Sequence, residues 1–182
     1  MGNLTDFFAS GGGSNVLEIL SSPCDGRTVT VSSGTYTMQN VTNFQQPASS
    51  YVDYEGSVIN YLPPAGTKRV IYEFNTNIGW HSTHAISSFK IFIGGTEVTA
   101  ARMGVGGQYN EAINSIKWTF EIGDTADAAN GVVTSWDTAK ELKVQARNYG
   151  SGNANKLNAT RYQGTGSAAY FVRPLLTITA LS

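Results

Sequence analysis

The sequence predicts an all-β fold, an antiparallel β-sandwich, and three observations carry that reading. In Ser115 to Ile122 the apolar residues Ile116, Trp118, Phe120 and Ile122 alternate with Ser115, Lys117, Thr119 and Glu121, the period-two pattern of a strand with one face in a core. Comparable runs recur at intervals of about ten residues, separated by Gly-, Pro-, Ser- and Asn-rich turns, as in a sandwich or barrel. No stretch holds a helical period, and only Trp136 to Lys140 has helix-like composition, for one turn at most.

The elements follow in order. Met1 to Ser14 reads as an arm: Leu4, Phe7 and Phe8 form an apolar plug ahead of Gly11-Gly12-Gly13, a flexible joint. Two adjacent Phe residues are costly to leave in water, so the arm is expected to anchor on another subunit or a larger particle. Strands are expected at Val16 to Leu20, Arg27 to Ser32 and Thr35 to Met38. Ser50 to Tyr54 should then pair with Ser57 to Leu62. Arg69 to Phe74 follows, with Val70, Tyr72 and Phe74 on one face. Ser87 to Ile93 and Glu97 to Ala101 flank Gly94-Gly95-Thr96, a hairpin signal because glycine accepts positive φ in a tight turn. Gly104-Val105-Gly106-Gly107 reads as a turn, and Ile113 to Ile122, Glu141 to Tyr149 and Tyr170 to Leu181 complete the set. About ten antiparallel strands without a helix fit a two-sheet sandwich of the jelly-roll kind.

At 182 residues the chain suits one domain, residues 15–182, after the arm of residues 1–14, and that domain can bury a core without disulfides or metals. Only 14% of residues are charged and the net charge is -1, so the surface must be largely Ser, Thr, Asn, Gln and Gly. The 12 basic residues are dispersed among 13 acidic ones, which argues against nucleic acid as a partner. No basic and apolar leader opens the chain and nothing approaches the ~18 apolar residues of a spanning helix, so synthesis in a cytoplasm without membrane insertion is expected. Cys24 is the single cysteine; it excludes an intrachain disulfide framework and reads as a small buried filler or an inert loop thiol.

Candidate chemistry is sparse. His81 and His84, in Trp80-His81-Ser82-Thr83-His84, have ligand-like spacing, but a metal site wants further ligands on a rigid frame. Trp80 and His81 read better as a contact surface, Trp offering a large area and a polar N–H. Asp124, Asp127 and Asp137 lie around a loop that fits neither a calcium motif nor a demonstrable carboxylate pair, and they read as solvated. No nucleophile elbow, Cys–His pair or phosphate loop occurs, so no enzyme activity and no cofactor or metal are expected. The long loop Asn148 to Ser167 carries Tyr149, Asn153, Asn155, Lys156, Asn158, Arg161, Tyr162 and Gln163, a mixture suited to glycan contact or equally to a subunit interface.

The runs Ile91-Phe92-Ile93-Gly94-Gly95-Thr96-Glu97-Val98, Lys117-Trp118-Thr119-Phe120, Leu142-Lys143-Val144-Gln145-Ala146-Arg147 and Phe171-Val172-Arg173-Pro174 resemble modules of tailed-bacteriophage virion proteins of the marine phage type. Such proteins are described as fibre, knob or head-decoration proteins, and Asn3-Leu4-Thr5-Asp6-Phe7-Phe8 resembles their start. The strand order and Pro174 to Leu181 are similar to tumour-necrosis-factor-like jelly rolls, which commonly form trimers around an aromatic-rich face. The resemblance implies a homotrimeric virion surface knob, anchored to other virion proteins by its arm, with Tyr72, Trp118, Tyr170 and Phe171 as candidate interface residues. It implies particle decoration or host-surface adhesion. The alternatives are a tail-associated protein that recognises a host glycan and, less favoured, a cellular carbohydrate-binding module or a glycan depolymerase.

Overall fold

A computed structural model describes residues 15–79, 85–107, 112–150, 155–161 and 169–182. The first main sheet has the order β1 (Val16–Pro23), β15 (Leu175–Leu181), β6 (Arg69–Gly79), β9 (Ala112–Ile122) and β10 (Val132–Val133), with β12 (Lys156–Leu157) also on β6. The second has the order β4 (Val52–Asp53), β11 (Lys140–Asn148), β7 (Ala85–Ile93) and β8 (Thr96–Gly107), with β5 (Ile59–Tyr61) also on β11. Two ribbons flank them, β2 (Thr28–Val31) with β3 (Gly34–Thr37) and β13 (Ala159–Thr160) with β14 (Tyr170–Phe171). Among the described residues the only helical element is one 3₁₀ turn, Ala128–Asn130, and no helix is long and apolar enough to cross a membrane.

Counting β4 and β5 as one interrupted strand, eight principal strands pair in a nested way. First meets last (β1–β15), second meets seventh (β5–β11), third meets sixth (β6–β9) and fourth meets fifth (β7–β8), all antiparallel. That is one long hairpin folded over on itself, the connectivity of a jelly roll.

Alternation along the strands builds the core. Val70, Tyr72, Phe74 and Ile78 of β6 point inward with Ile116 and Phe120 of β9 and Leu176 and Ile178 of β15. From the other side come Leu142 and Val144 of β11 and Phe89, Ile91 and Ile93 of β7. Tyr54 meets Phe74 edge-on at 4.9 Å, and Trp136 sits edge-on to both Phe120 and Tyr61 at 6.0 and 6.4 Å. Such aromatic pairs add about 0.5–1.5 kcal/mol each beyond their burial. Ile116 and Phe120 are buried, and Trp118 and Ile122 pack partly buried against the same core, so the face expected inward is inward. At the tip of the β7–β8 hairpin Gly94 and Gly95 both have positive φ, 55° and 80°, and Ile93 pairs with Thr96, as the dipeptide predicts.

Three local expectations are overturned, and the helix-like composition of Trp136–Lys140 goes no further than composition. The segments around Val52 and Ile59 do not pair with each other; both lie along β11, because Gly56 (φ 98°) turns the chain within the same edge. There Ser57 fills the gap, its Oγ accepting from Val144 N at 3.1 Å and donating to Val144 O at 3.2 Å. Gly104–Gly107 is strand rather than turn, since Ala85–Ser88 of β7 supplies its ladder partners. Trp136–Lys140 forms no helix; Trp136 is buried and donates Nε1–H to Tyr61 O at 2.9 Å. Tyr170–Leu181 is two strands, broken at Val172–Pro174, where proline has no N–H for a ladder and Pro174 O accepts from Cys24 N at 3.0 Å.

Candidate functional site

The topology sends the ends of β6, β8 and β11 and the starts of β7 and β9 to one end of the sandwich, with Ile78 opposite Ala112, Ala85 opposite Gly107 and Ser87 opposite Asn148. Gly79 and Ala85, on either side of the expected contact segment Trp80 to His84, and Asn148, at the start of the expected segment Asn148 to Ser167, thus lie at this end. Trp80, His81, His84, Asn153, Tyr162 and Gln163 lie outside the described residues, as do Leu4, Phe7 and Phe8 of the arm.

A buried polar network roots this end. Ser87 Oγ donates to Asn148 Oδ1 at 2.8 Å and accepts from Asn155 Nδ2 at 2.8 Å, while Asn148 Nδ2 donates to Pro47 O at 2.6 Å. Beside it Tyr54 Oη, Thr76 Oγ1 and Asn158 Oδ1 form a chain with separations of 2.5 and 2.8 Å. Asn158 takes φ 59°, a left-handed conformation that Asn tolerates, and donates Nδ2–H to Glu55 O at 3.0 Å. Burial pushes the Tyr54 hydroxyl pKa up, so it stays protonated. These amides are satisfied inside the protein, which corrects the reading of Asn155 and Asn158 as ligand contacts. Arg161 is buried as well, where a ligand or subunit contact was expected. Tyr149 is 68% exposed and is held by its backbone N–H to Ile86 O at 2.9 Å.

The expected trimer residues divide. Tyr72 is fully buried, with its Oη donating to Ser57 O at 2.6 Å across the core, and so it has no surface to offer a sister subunit. Trp118 shares that inward face, half-buried, its Nε1–H donating to Asn130 O at 3.1 Å. Tyr170 is exposed and Phe171 is half-buried under the Arg173 guanidinium, 5.8 Å from the ring centre.

The two outer faces differ in chemistry. On the second sheet Lys143 pairs with Asp53 at 3.2 Å and Glu141 at 2.9 Å, and Glu97 pairs with Lys90 at 2.9 Å and Arg102 at 2.6 Å. Arg102 holds the Glu97 carboxyl below its ordinary pKa. The first sheet presents Ile19, Thr179, Ile71 and Thr119 in one cross-strand row and Ser21, Thr177, Glu73 and Lys117 in the next. Leu17, Ile19, Leu175 and Ile113 on this face are all exposed, Ile113 by 84%. Its charges are few, Arg69 and Glu121 at one end and the Glu73–Lys117 pair at 3.5 Å.

A further buried charge has almost no signature in the sequence. Glu18, on β1, points inward with Leu20 and accepts from Ser32 Oγ (2.6 Å), Ser33 N (2.7 Å), Ser33 Oγ (2.7 Å) and Tyr61 Oη (2.8 Å). Burial pushes its pKa up, but these donors outweigh burial and hold it below the ordinary 4.5. Glu18 thereby ties the β2–β3 turn to the sandwich. The only sequence signal was parity, a carboxylate on the Leu20 side of a strand.

The loop carboxylates do not converge. Asp127 caps the 3₁₀ turn, Oδ1 accepting from Asn130 N at 3.2 Å and Oδ2 from Asn130 Nδ2 at 2.7 Å, which lowers its pKa. Asp124 and Asp137 are exposed. Two open grooves at this opposite end, of about 300 and 420 Å³, share Thr134 and Ser135; Lys140 lines the first and Asp137 the second. Among the described residues no three His, Cys, Asp or Glu side chains are grouped to hold a metal ion. Burial, then the Asp25 charge, pushes the Cys24 thiol pKa up to about 12. No known protein family matches the chain, and no curated protein sequence matches it.

Proposed function

We propose that this chain is a structural and interaction protein of a phage virion surface, an arm-anchored knob that assembles as a trimer through the outer face of its first sheet. The observation that carries the reading is the contrast between the two outer faces. The second sheet is covered by ion pairs that suit water, while the first exposes Leu17, Ile19, Ile113 and Leu175 among threonines. Arg69 and Lys117 against Glu73 and Glu121 leave that face neutral, so a second copy meets no repulsion and a polyanion or acidic membrane finds no attraction. Four strands about 4.8 Å apart and about seven residues long give roughly 450 Å² of flat sheet. A standard interface needs about 800 Å² per partner, so the rims, including Val16 and Tyr170, must contribute.

This reading replaces Tyr72 and Trp118 by Ile19 and Ile71 as the residues at a subunit contact. Size-exclusion chromatography with light scattering on the full chain tests it. The expected mass is three times the 19.4 kDa of one chain, falling to one for Ile19→Glu combined with Ile71→Glu; a monomeric wild-type chain would sink it. Tyr149, exposed at the end of the sandwich where β6 and β11 finish, favours a second reading, a tail-associated protein that contacts a host glycan.

A further inference from the structure

On the outer face of the second sheet, the ring of Tyr51 lies beneath two cations, Lys90 Nζ at 4.5 Å and Arg147 Cζ at 4.9 Å from its centre. Lys90 shares Glu97 with Arg102. Arg147 is different: among the described residues its side chain has no hydrogen-bond or ion-pair partner, and its Nε–H is buried and unsatisfied. A buried donor without an acceptor is rare in a folded protein, and here the guanidinium lies over the Tyr51 ring instead. Three cations therefore face one carboxylate here, a local excess of positive charge on a chain whose net charge is -1. The next carboxylate along the face, Asp53, is taken up by Lys143 and by Gln145 Nε2 at 3.0 Å.

We infer that Arg147, with Lys90 and Arg102 around Tyr51, is a binding subsite for the carboxylate or sulfate group of an acidic saccharide. The guanidinium fork matches a planar or tetrahedral oxyanion through paired N–H donors, which a lysine cannot reproduce. Ser88, opposite Arg147 in the register, adds a hydroxyl, and Tyr149, two residues along the chain and 68% exposed, adds an aromatic face for a sugar ring. A nucleic acid fits less well. A phosphate polymer wants a continuing basic track, and the positive field stops at Lys143, which is neutralised by Asp53 and Glu141. The inference is independent of the assembly reading, since it concerns the opposite sheet.

Titration calorimetry on the full chain tests it with a glucuronate-containing oligosaccharide, a sulfated one, the carboxyl-reduced and desulfated counterparts of each, and a single-stranded oligonucleotide of matched charge. At least one acidic saccharide should bind tenfold or more tightly than its neutral counterpart, the two acidic arms showing which group is preferred. Arg147→Gln should remove at least tenfold of that affinity and Arg147→Lys should restore little of it. Arg102→Gln, at an exposed side chain that does not threaten the fold, should weaken binding about threefold by its charge alone. Lys68→Gln, exposed just before β6 at the far end of the other sheet, should change nothing. Equal affinity for acidic and neutral saccharides, no binding to either, an unaffected Arg147→Gln variant, or an oligonucleotide that binds as tightly would each overturn it. Should Arg147→Gln fail to fold, unchanged affinity in Arg102→Gln would do so alone.

Discussion

Replacing Glu18 by Gln should destabilise the fold in a way that depends on pH, and the hydrogen-bond geometry sets the size. Oε1 accepts from Tyr61 and Ser33 Oγ, and Oε2 from Ser32 Oγ and Ser33 N. An amide keeps one acceptor oxygen and turns an NH2 toward the other two donors. A buried donor left unpaired costs about 1–3 kcal/mol, and one of the two hydroxyls can turn away, so a net loss of about 3 kcal/mol is expected. For a domain of this size that is about 6–12 °C of melting temperature. The folded pKa of Glu18 lies below its ordinary 4.5, so its contribution is complete above the unfolded pKa and is lost as pH falls through the folded one. Thermal denaturation followed by circular dichroism should show the full gap between wild type and Glu18→Gln at neutral pH, narrowing under acid conditions below pH 4.5. A gap under about 1 °C at neutral pH, or one that acid leaves unchanged, would refute the clamp.

Two further substitutions or probes test the packing. At Gly56 (φ +98°) a Cβ would lie 2.7 Å from Pro174 Cγ and 3.3 Å from Cys24 Sγ, whereas at Gly66 (φ +86°) nothing lies within 4 Å. Gly56→Ala should therefore lower urea-denaturation stability by about 2–5 kcal/mol and Gly66→Ala by only about 1 kcal/mol; equal losses would show that contact does not matter. Cys24, buried and donating to Gly56 O at 3.2 Å, should be alkylated by iodoacetamide only as fast as the protein opens, read as a mass shift with and without denaturant.

What could be read from the sequence was local alternation. The inward sets of β6, β9 and β15 follow from period-two patterning, and Gly94-Gly95 announces its turn, because both signals sit within one strand or one hairpin. The placement of β4 and β5 side by side along β11 could not be read, since the choice between pairing with each other and sharing a third edge is made by residues 87 positions apart, Ser57 against Val144. Tyr72 illustrates the same limit for a site: an aromatic on an amphipathic strand marks a buried face, but not whether its cover is the same chain or a neighbour. Asn155 and Asn158 looked like sugar contacts by residue type, and only their partners Ser87 and Thr76 on distant strands show them to be internal. Arg147 and Tyr51 meet across nearly a hundred residues of chain, with no spacing to announce them.

The nested pairing has a consequence for folding. Among the described residues β1 finds its only ladder partner in β15, and β15 also closes the row against β6, so the first sheet is tied together by segments from opposite ends of the domain. Contacts between segments so far apart in sequence form late, because the long stretch between them must first be ordered, and they make this a slow topology. Ser182 N donates to Asn15 O at 3.0 Å at the end of that ladder. Opening this one ladder would strip β1 of its partner and β6 of one edge together.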